Sequence, residues 1–275
     1  MIYCKREVGE LAQSSFICQK LLNYFKIMRV KISFLRDQMS ANTIPLHHQA
    51  LLAESLFTLI DSVGGDRTAF NFSSLKGTSK IQNGFMRFLS SKVTLVLSSR
   101  QDQHLEQVVS KIFEQPYLAV GKMNLMPRSH EVIPDPEFST KMRYLCISPM
   151  ILVDPRKDPE KSQLTIDPTS QEFSDILYEQ TLDRMERAGF SESDLNNFAE
   201  FDAQPDHEYV QKLNETGKKF ARYYRSADGS TMMGYLLPFT LHAHLDVHRF
   251  IWNSGVGALS EQGYGMVDLV KVGLN

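Results

Sequence analysis

Cysteine is scarce. Cys4, Cys18 and Cys146 are the three in 275 residues. They are odd in number, widely spaced, and form no C-x-x-C. A disulfide framework and a zinc ribbon are thereby excluded, and a reducing compartment is indicated. No apolar run approaches the ~20 residues that a membrane span requires. The first residues carry Lys5, Arg6, Glu7 and Glu10 and lack a signal-peptide core. These absences predict a cytoplasmic protein without a membrane partner. A large net charge is also missing: the formal value is −2, so the whole chain is no polycation.

The charge that is present is unevenly placed. From Arg67 to Gln101 there are six basic residues (Arg67, Lys76, Lys80, Arg87, Lys92, Arg100) and no acid. From Asp154 to Glu215 there are 16 acids against six basic residues. That asymmetry predicts a basic face for an anionic polymer and a solvated acidic flank.

Periodicity divides the chain. Residues 1–27 read as an extension, either an amphipathic helix or a mis-assigned start. At Met28 a strict alternation begins, with Val30, Ile32 and Phe34 against Arg29, Lys31 and Ser33, which is the signature of a half-buried strand. A helix follows Pro45, carried by Leu51, Leu52, Leu56, Leu59 and Ile60 and ended by Gly64-Gly65. Strands are expected at 85–90 and 92–98, a helix at 103–113, and strands at 117–126 and 130–133. The order β-α-β-β-α-β is ferredoxin-like and spans residues 28–135. A second unit, residues 136–275, opens with strands at 142–148 and 150–153, followed by a helix at 171–188. Strands at 218–224 and 232–241 flank an Asp228-Gly229 turn. A helix at 245–252 and a strand at 266–272 close the unit. The fold class expected is α+β, two tandem ferredoxin-like domains.

Glycine is sparing, 15 in all, yet four fall within Gly255–Gly265, as two G-x-G pairs. Such a loop can expose N–H groups to phosphates. The alternative is a turn that packs a helix against a strand. The spacing is not that of a dinucleotide fingerprint, and no Lys-Ser/Thr follows as a P-loop needs.

This stretch resembles the signature loop of the CRISPR-associated Cas-six endoribonucleases, of the form G-[hydrophobic]-G-x5-G-[aromatic]-G-M-V. Gly255, Val256, Gly257, Gly263, Tyr264, Gly265, Met266 and Val267 stand in its places. Ile44-Pro45-Leu46-x-His48-Gln49 is similar to the family's entry into its first helix, and Leu145-x-Ile147-Ser148-Pro149 to the strand that opens its second domain. The resemblance implies tandem ferredoxin-like domains that bind the repeat of a CRISPR precursor transcript and cut it without metal or cofactor. In that reaction the 2′-hydroxyl attacks the adjacent phosphate. CRISPR repeat RNA is then the partner, with a CRISPR effector complex and a homodimer left open. The family's catalytic histidine usually follows the first helix, but residues 61–80 hold none, and Ser73 or a neighbour stands in its place.

The candidate catalytic residues are therefore His48 and His47, at the start of the first helix, with Lys76. A histidine at a helix N-terminus tends to stay neutral, as a general base must. The candidate RNA contacts are Lys76, Lys80, Arg87, Lys92, Arg222, Arg225, Arg249 and the glycines Gly255, Gly257, Gly263 and Gly265. Basic residues interleaved with aromatics around Arg222 suit a single strand or a stem edge. A protein that binds repeat RNA without cutting it is the second reading. A hydrolase using His242, His244 and His248 as metal ligands is the third, although Leu245 stands where H-E-x-x-H needs Glu.

Overall fold

The computed structural model describes residues 28–154, 165–217, 220–225 and 231–270. The expected amino-terminal helix, Cys4, Cys18 and the Asp228-Gly229 turn lie outside these residues.

The alternation read at Met28 is strand β1 (Arg29–Arg36), in which Val30, Ile32 and Phe34 are buried. After a short strand β2 (Thr43–Pro45) comes helix α1 (Gln49–Ser62). Its buried Leu52, Ala53, Leu56, Leu59 and Ile60 recur at three- and four-residue intervals and face one core. Strand β3 (Phe70–Phe72) follows, then a hairpin of β4 (Ser79–Gln82) and β5 (Phe85–Phe88). Strand β6 (Lys92–Ser99), helix α2 (Asp102–Glu114), β7 (Leu118–Val120) and β8 (Met123–Val132) complete the first unit. The main sheet has the order β3-β6-β1-β8-β7. Without edge strand β7, this is the antiparallel ferredoxin-like order.

The second unit repeats the plan. Strand β9 (Lys141–Cys146) leads through β10 (Met150–Ile151) to helix α3 (Phe173–Arg187). A short helix α4 (Glu192–Leu195) precedes strand β11 (Phe201–Pro205) and helix α5 (His207–Glu215). Then come β12 (Ala221–Arg225), β13 (Thr231–Tyr235), β14 (Pro238–Ala243), helix α6 (Leu245–Ser254) and β15 (Val267–Leu269). The sheet order is β11-β14-β9-β15, so β9-α3-β11-β14-α6-β15 is again ferredoxin-like. Each unit has its own core: Phe34, Leu56, Leu97 and Val108 belong to one, and Tyr144, Phe173, Phe239 and Ile251 to the other.

In each unit the strands of the main sheet differ from the sequence expectation. In the first unit, the stretch near residue 85 does not join the main sheet. It forms a separate small sheet, β2-β5-β4, and the second core strand is β3, read from sequence as loop. Phe70, Asn71 and Phe72 are all buried, so β3 shows no alternation. In the second unit, the hairpin β12–β13 pairs with β10 in a small sheet of its own. The core positions fall to β14 and to β11, which lies in the acidic stretch read as irregular. Only Ala203 of β11 is fully buried, so its short alternation of Phe201, Ala203 and Pro205 with Asp202 and Gln204 carries little hydrophobic signal.

Candidate nucleic-acid interface

The three motifs that are far apart in sequence meet at the junction of the two units. Gly265 donates its N–H to the Pro149 carbonyl at 2.8 Å, and Ile147 N–H reaches the Met266 carbonyl at 2.7 Å. Met266 N–H donates to Ser148 Oγ at 2.8 Å. From the first unit, Gln49 Nε2 donates to the Gly263 carbonyl. Asn71 Nδ2 lies 2.8 Å from the Ser260 carbonyl and 2.9 Å from that of Tyr264. Ser98 Oγ donates to the Asn253 carbonyl at 2.8 Å.

The glycines are the reason this can pack. Gly255, Gly257, Gly263 and Gly265 are all buried. A Cβ on Gly263 would stand 2.1 Å from the Phe72 ring, and one on Gly265 would stand 1.8 Å from the Val256 carbonyl oxygen. Both residues have positive φ, +81° and +68°, where a side chain is strained in any case. Several of the loop's N–H groups are also taken: Val256 donates to Gly265 and Ala258 to Ile151, each at 2.8 Å, and Gly263 to Ser260 at 2.9 Å. The expectation that these four glycines cradle phosphate is thus corrected. The loop is a clasp between units, because its four glycines are buried and groups from both units hydrogen-bond to its backbone.

His48 is corrected in the same way. It is 2% exposed, and its Nε2 accepts the Leu75 N–H at 3.2 Å. That bond requires an unprotonated Nε2 and leaves it no lone pair for a substrate hydroxyl. Burial holds the imidazole pKa down at about 4, against the opposing pull of the Pro45 and Leu46 carbonyls. The neighbouring His47 is exposed. The His48–Leu75 bond also brings the start of α1 against the loop carrying Lys76. Lys76 is an exposed residue whose ammonium is nonetheless partly desolvated, which lowers its pKa, while Asp268 opposes the shift. Ser73 is buried, and its Oγ accepts the Val96 N–H at 3.0 Å.

The basic residues of the first unit cluster. Lys80 stands directly across from Arg87 in the β4–β5 pair, both exposed. Phe85 and Ile81 beside them are half exposed. Lys76 bridges to Thr94, two residues along β6 from the exposed Lys92. The other candidates lie on the second unit. Arg222 is part-buried opposite Gly234, Arg225 ends β12, and Arg249 makes a 2.7 Å surface pair with Asp246.

The late histidines do not converge. His248 is buried, with Nδ1 2.9 Å from the Tyr144 hydroxyl and Nε2 3.2 Å from the Thr140 carbonyl. His244 accepts the Asp246 N–H and so caps α6, while His242 lies 3.4 Å from Glu200. Among the described residues no group of three or more His, Cys, Asp or Glu could hold a metal ion, and no helix is long and apolar enough to cross a membrane.

Sequence reasoning missed three residues that join the units: Asn71, in a stretch read as loop, and Ser98 and Arg29, read as ordinary polar strand positions, although the Arg29 guanidinium donates to the carbonyls of Trp252 and Val267 in the second unit. The one signal for Arg29 is that a charge occupies a position next to the core alternation of β1.

Two ferredoxin-like units joined through a buried glycine loop define a tandem ferredoxin-like protein. Residues 133–269 match the family model described as CRISPR associated protein Cas6, C-terminal. A solved CRISPR associated protein Cas6 superposes with a TM-score of 0.71 at 20% identity, covering 89% of this chain and 99% of that one. A Cas6-related protein of Pyrococcus furiosus gives 0.73 at 18% identity, with 90% and 99% covered. A RAMP protein binding different RNA substrates gives 0.71 at 17% identity, with 89% and 100% covered. No curated protein sequence matches the chain. The chain belongs to the Cas6 family.

Proposed function

We propose that this protein binds CRISPR repeat RNA and takes part in processing the precursor transcript. The observation that carries this reading is the meeting of the three family motifs in one clasp that fixes two ferredoxin-like units against each other. The domains are residues 28–135 and 136–275, a division supported by the two separate cores. Lys76, Lys80, Arg87 and Lys92 supply phosphate contacts from the first unit, with Phe85 available for stacking. Arg222 and Arg249 extend the surface onto the second, and Arg225, at the end of β12, is a further candidate contact.

Cleavage, where it occurs, is metal-independent. The 2′-hydroxyl oxygen bonds to the adjacent phosphorus as the bond from phosphorus to the 5′-oxygen breaks. A base takes the 2′-proton and an acid protonates the leaving oxygen, giving a 2′,3′-cyclic phosphate and a 5′-hydroxyl. With His48 enclosed, His47 is the candidate base, and Lys76 stabilises charge on the phosphate. The second reading, binding without cleavage, is favoured by the burial of His48 and by the lack of histidine from residue 61 to 80.

The test uses the host repeat RNA and a copy with a deoxy substitution at the cleavage site, both in EDTA, read for cutting and for gel shift. Cutting of the first RNA alone, lost in His47→Ala, supports the proposed chemistry. Shift without cutting selects the second reading. Neither shift nor cutting rejects the RNA reading.

A further inference from the structure

A cavity of about 360 Å³ opens at the junction of the units, on the outer side of the glycine loop. Thr68 and Arg100 of the first unit form one wall. Arg184 and Arg187 of α3, Phe250 of α6 and the loop residues through Glu261 form the other. Three guanidinium groups therefore converge on one opening from two separate units.

Their charges are poorly matched by the protein. Arg184 donates to the carbonyls of Ser254, Gly255 and Gly257. Arg100 donates to the Thr68 carbonyl at 3.3 Å, and its buried Nε has no hydrogen-bond partner. Among the described residues neither arginine has a carboxylate within 4.0 Å, whereas Arg187 pairs with Asp183 on the surface. The Phe250 ring is near both unpaired cations, 5.7 Å from the Arg100 guanidinium carbon and 5.3 Å from that of Arg184. Burial lowers the pKa of both, and for Arg184 the proximity of Arg100 and Arg187 adds to the effect while Glu261 opposes it.

Helix electrostatics explains only part of this cluster. Arg184 and Arg187 lie in the last turn of α3, where cations are favoured. Arg100 sits two residues ahead of the start of α2, where the helix dipole disfavours a cation. Like charges gathered in a partly desolvated recess, with a buried N–H left over, are complementary to an anion that supplies several acceptor oxygens.

We propose that this recess is a phosphate-binding subsite for the bound RNA, gripping one backbone phosphate between Arg100 and Arg187. The Arg184 guanidinium is already fixed by the clasp and supplies charge behind it. The inference rests on the RNA reading above. It adds a contact point distant in sequence from the basic hairpin, and links RNA binding to the junction of the two units.

The test measures the affinity of the full chain for repeat RNA across a salt series, for wild type, Arg187→Gln, and Arg100→Gln with Arg187→Gln. Arg184 is left intact because it holds the glycine loop. Each lost phosphate contact is expected to weaken binding by about tenfold and to reduce the salt slope by about 0.7. The two RNA ends are compared as 5′-phosphate and 5′-hydroxyl forms. An equal loss for both supports a backbone phosphate, and a loss confined to the 5′-phosphate form overturns that placement in favour of a terminal one. Should the double variant fail to fold, Arg187→Gln alone decides, since Arg187 is exposed and its pair with Asp183 is a surface one. Wild-type binding with unchanged affinity and slope in the folded variants overturns the subsite and leaves the RNA reading standing. Absence of wild-type binding overturns both.

Discussion

The guanidinium of Arg29 lies 3.9 Å from the centre of the Trp252 ring and donates to the Trp252 carbonyl at 3.0 Å. The same group donates to the Val267 carbonyl. Arg29 belongs to the first strand of the first unit, and both partners belong to the second. It is 1% exposed, and burial lowers its pKa to about 10, with Asp268 and Asp135 opposing. It therefore remains a cation at neutral pH. A buried charge of this kind is tolerable because carbonyl oxygens and an aromatic face replace part of its water. Replacing it with Met leaves two buried carbonyls without a donor. Arg29→Met should destabilise the protein by about 3 kcal/mol, read as a lower urea midpoint. A loss below about 0.5 kcal/mol, within the range of ordinary surface substitutions, would show that the tie contributes little.

The glycine clasp makes a graded prediction. Gly263→Ala and Gly265→Ala drive a methyl group into Phe72 and into the Val256 carbonyl, and should yield insoluble or loosely packed protein. Gly189, with φ +95° and nothing within 4 Å of its Cβ position, is the control. Its Ala variant meets only the backbone penalty of about 1 kcal/mol. Thermal melts of the three variants separate packing from backbone strain. Equal behaviour would count against the clasp.

His48 should make stability fall with acid. Its pKa is about 4 in the folded chain and near 6.5 when unfolded. The unfolded state therefore binds more protons between these values, and stability is lost as pH drops through that window. The shift corresponds to about 3 kcal/mol when complete. His248 is shifted in the same direction by burial, so the informative quantity is a difference between proteins. His48→Gln, whose amide oxygen can still accept the Leu75 N–H, should lose stability less steeply than wild type from pH 6.5 to 4. Parallel curves from denaturant titrations at several pH values would place the acid sensitivity elsewhere.

The basic hairpin should act through charge alone. Lys80 and Arg87 are exposed and face each other across β4 and β5. Replacing both with Ala should leave the melting temperature unchanged. It should reduce the salt slope of RNA binding by about 1.4, that is, about 0.7 for each lost contact to a single strand. An unchanged slope would remove this face from the RNA path.

Local chemistry wrote much of the fold into the sequence. The alternation of Val30, Ile32 and Phe34 set β1, and the spacing of Leu52, Leu56 and Leu59 set α1. Both signals depend only on which side of a strand or helix a residue faces. The glycine loop, Pro149 and Gln49 were visible as motifs for the same reason: each is a short pattern of residue types. What each motif does was decided by tertiary structure. A G-x-G pair reads alike whether its amides meet a phosphate or a neighbouring carbonyl. Here Phe72, Ile151 and Gln49, distant in sequence, fill the space that a ligand would need. His48 and His47 are adjacent in the chain, yet one turns into the core against Leu75 and the other to solvent. Strands β3 and β11 escaped notice because the first is buried throughout and so shows no alternation, while the second alternates over only five residues with the small Ala203 as its one fully buried side chain. The arginine recess lay beyond any local pattern. Arg184 and Arg187 sit in a stretch whose overall charge is acidic, and only the docking of the two units brings Arg100 beside them.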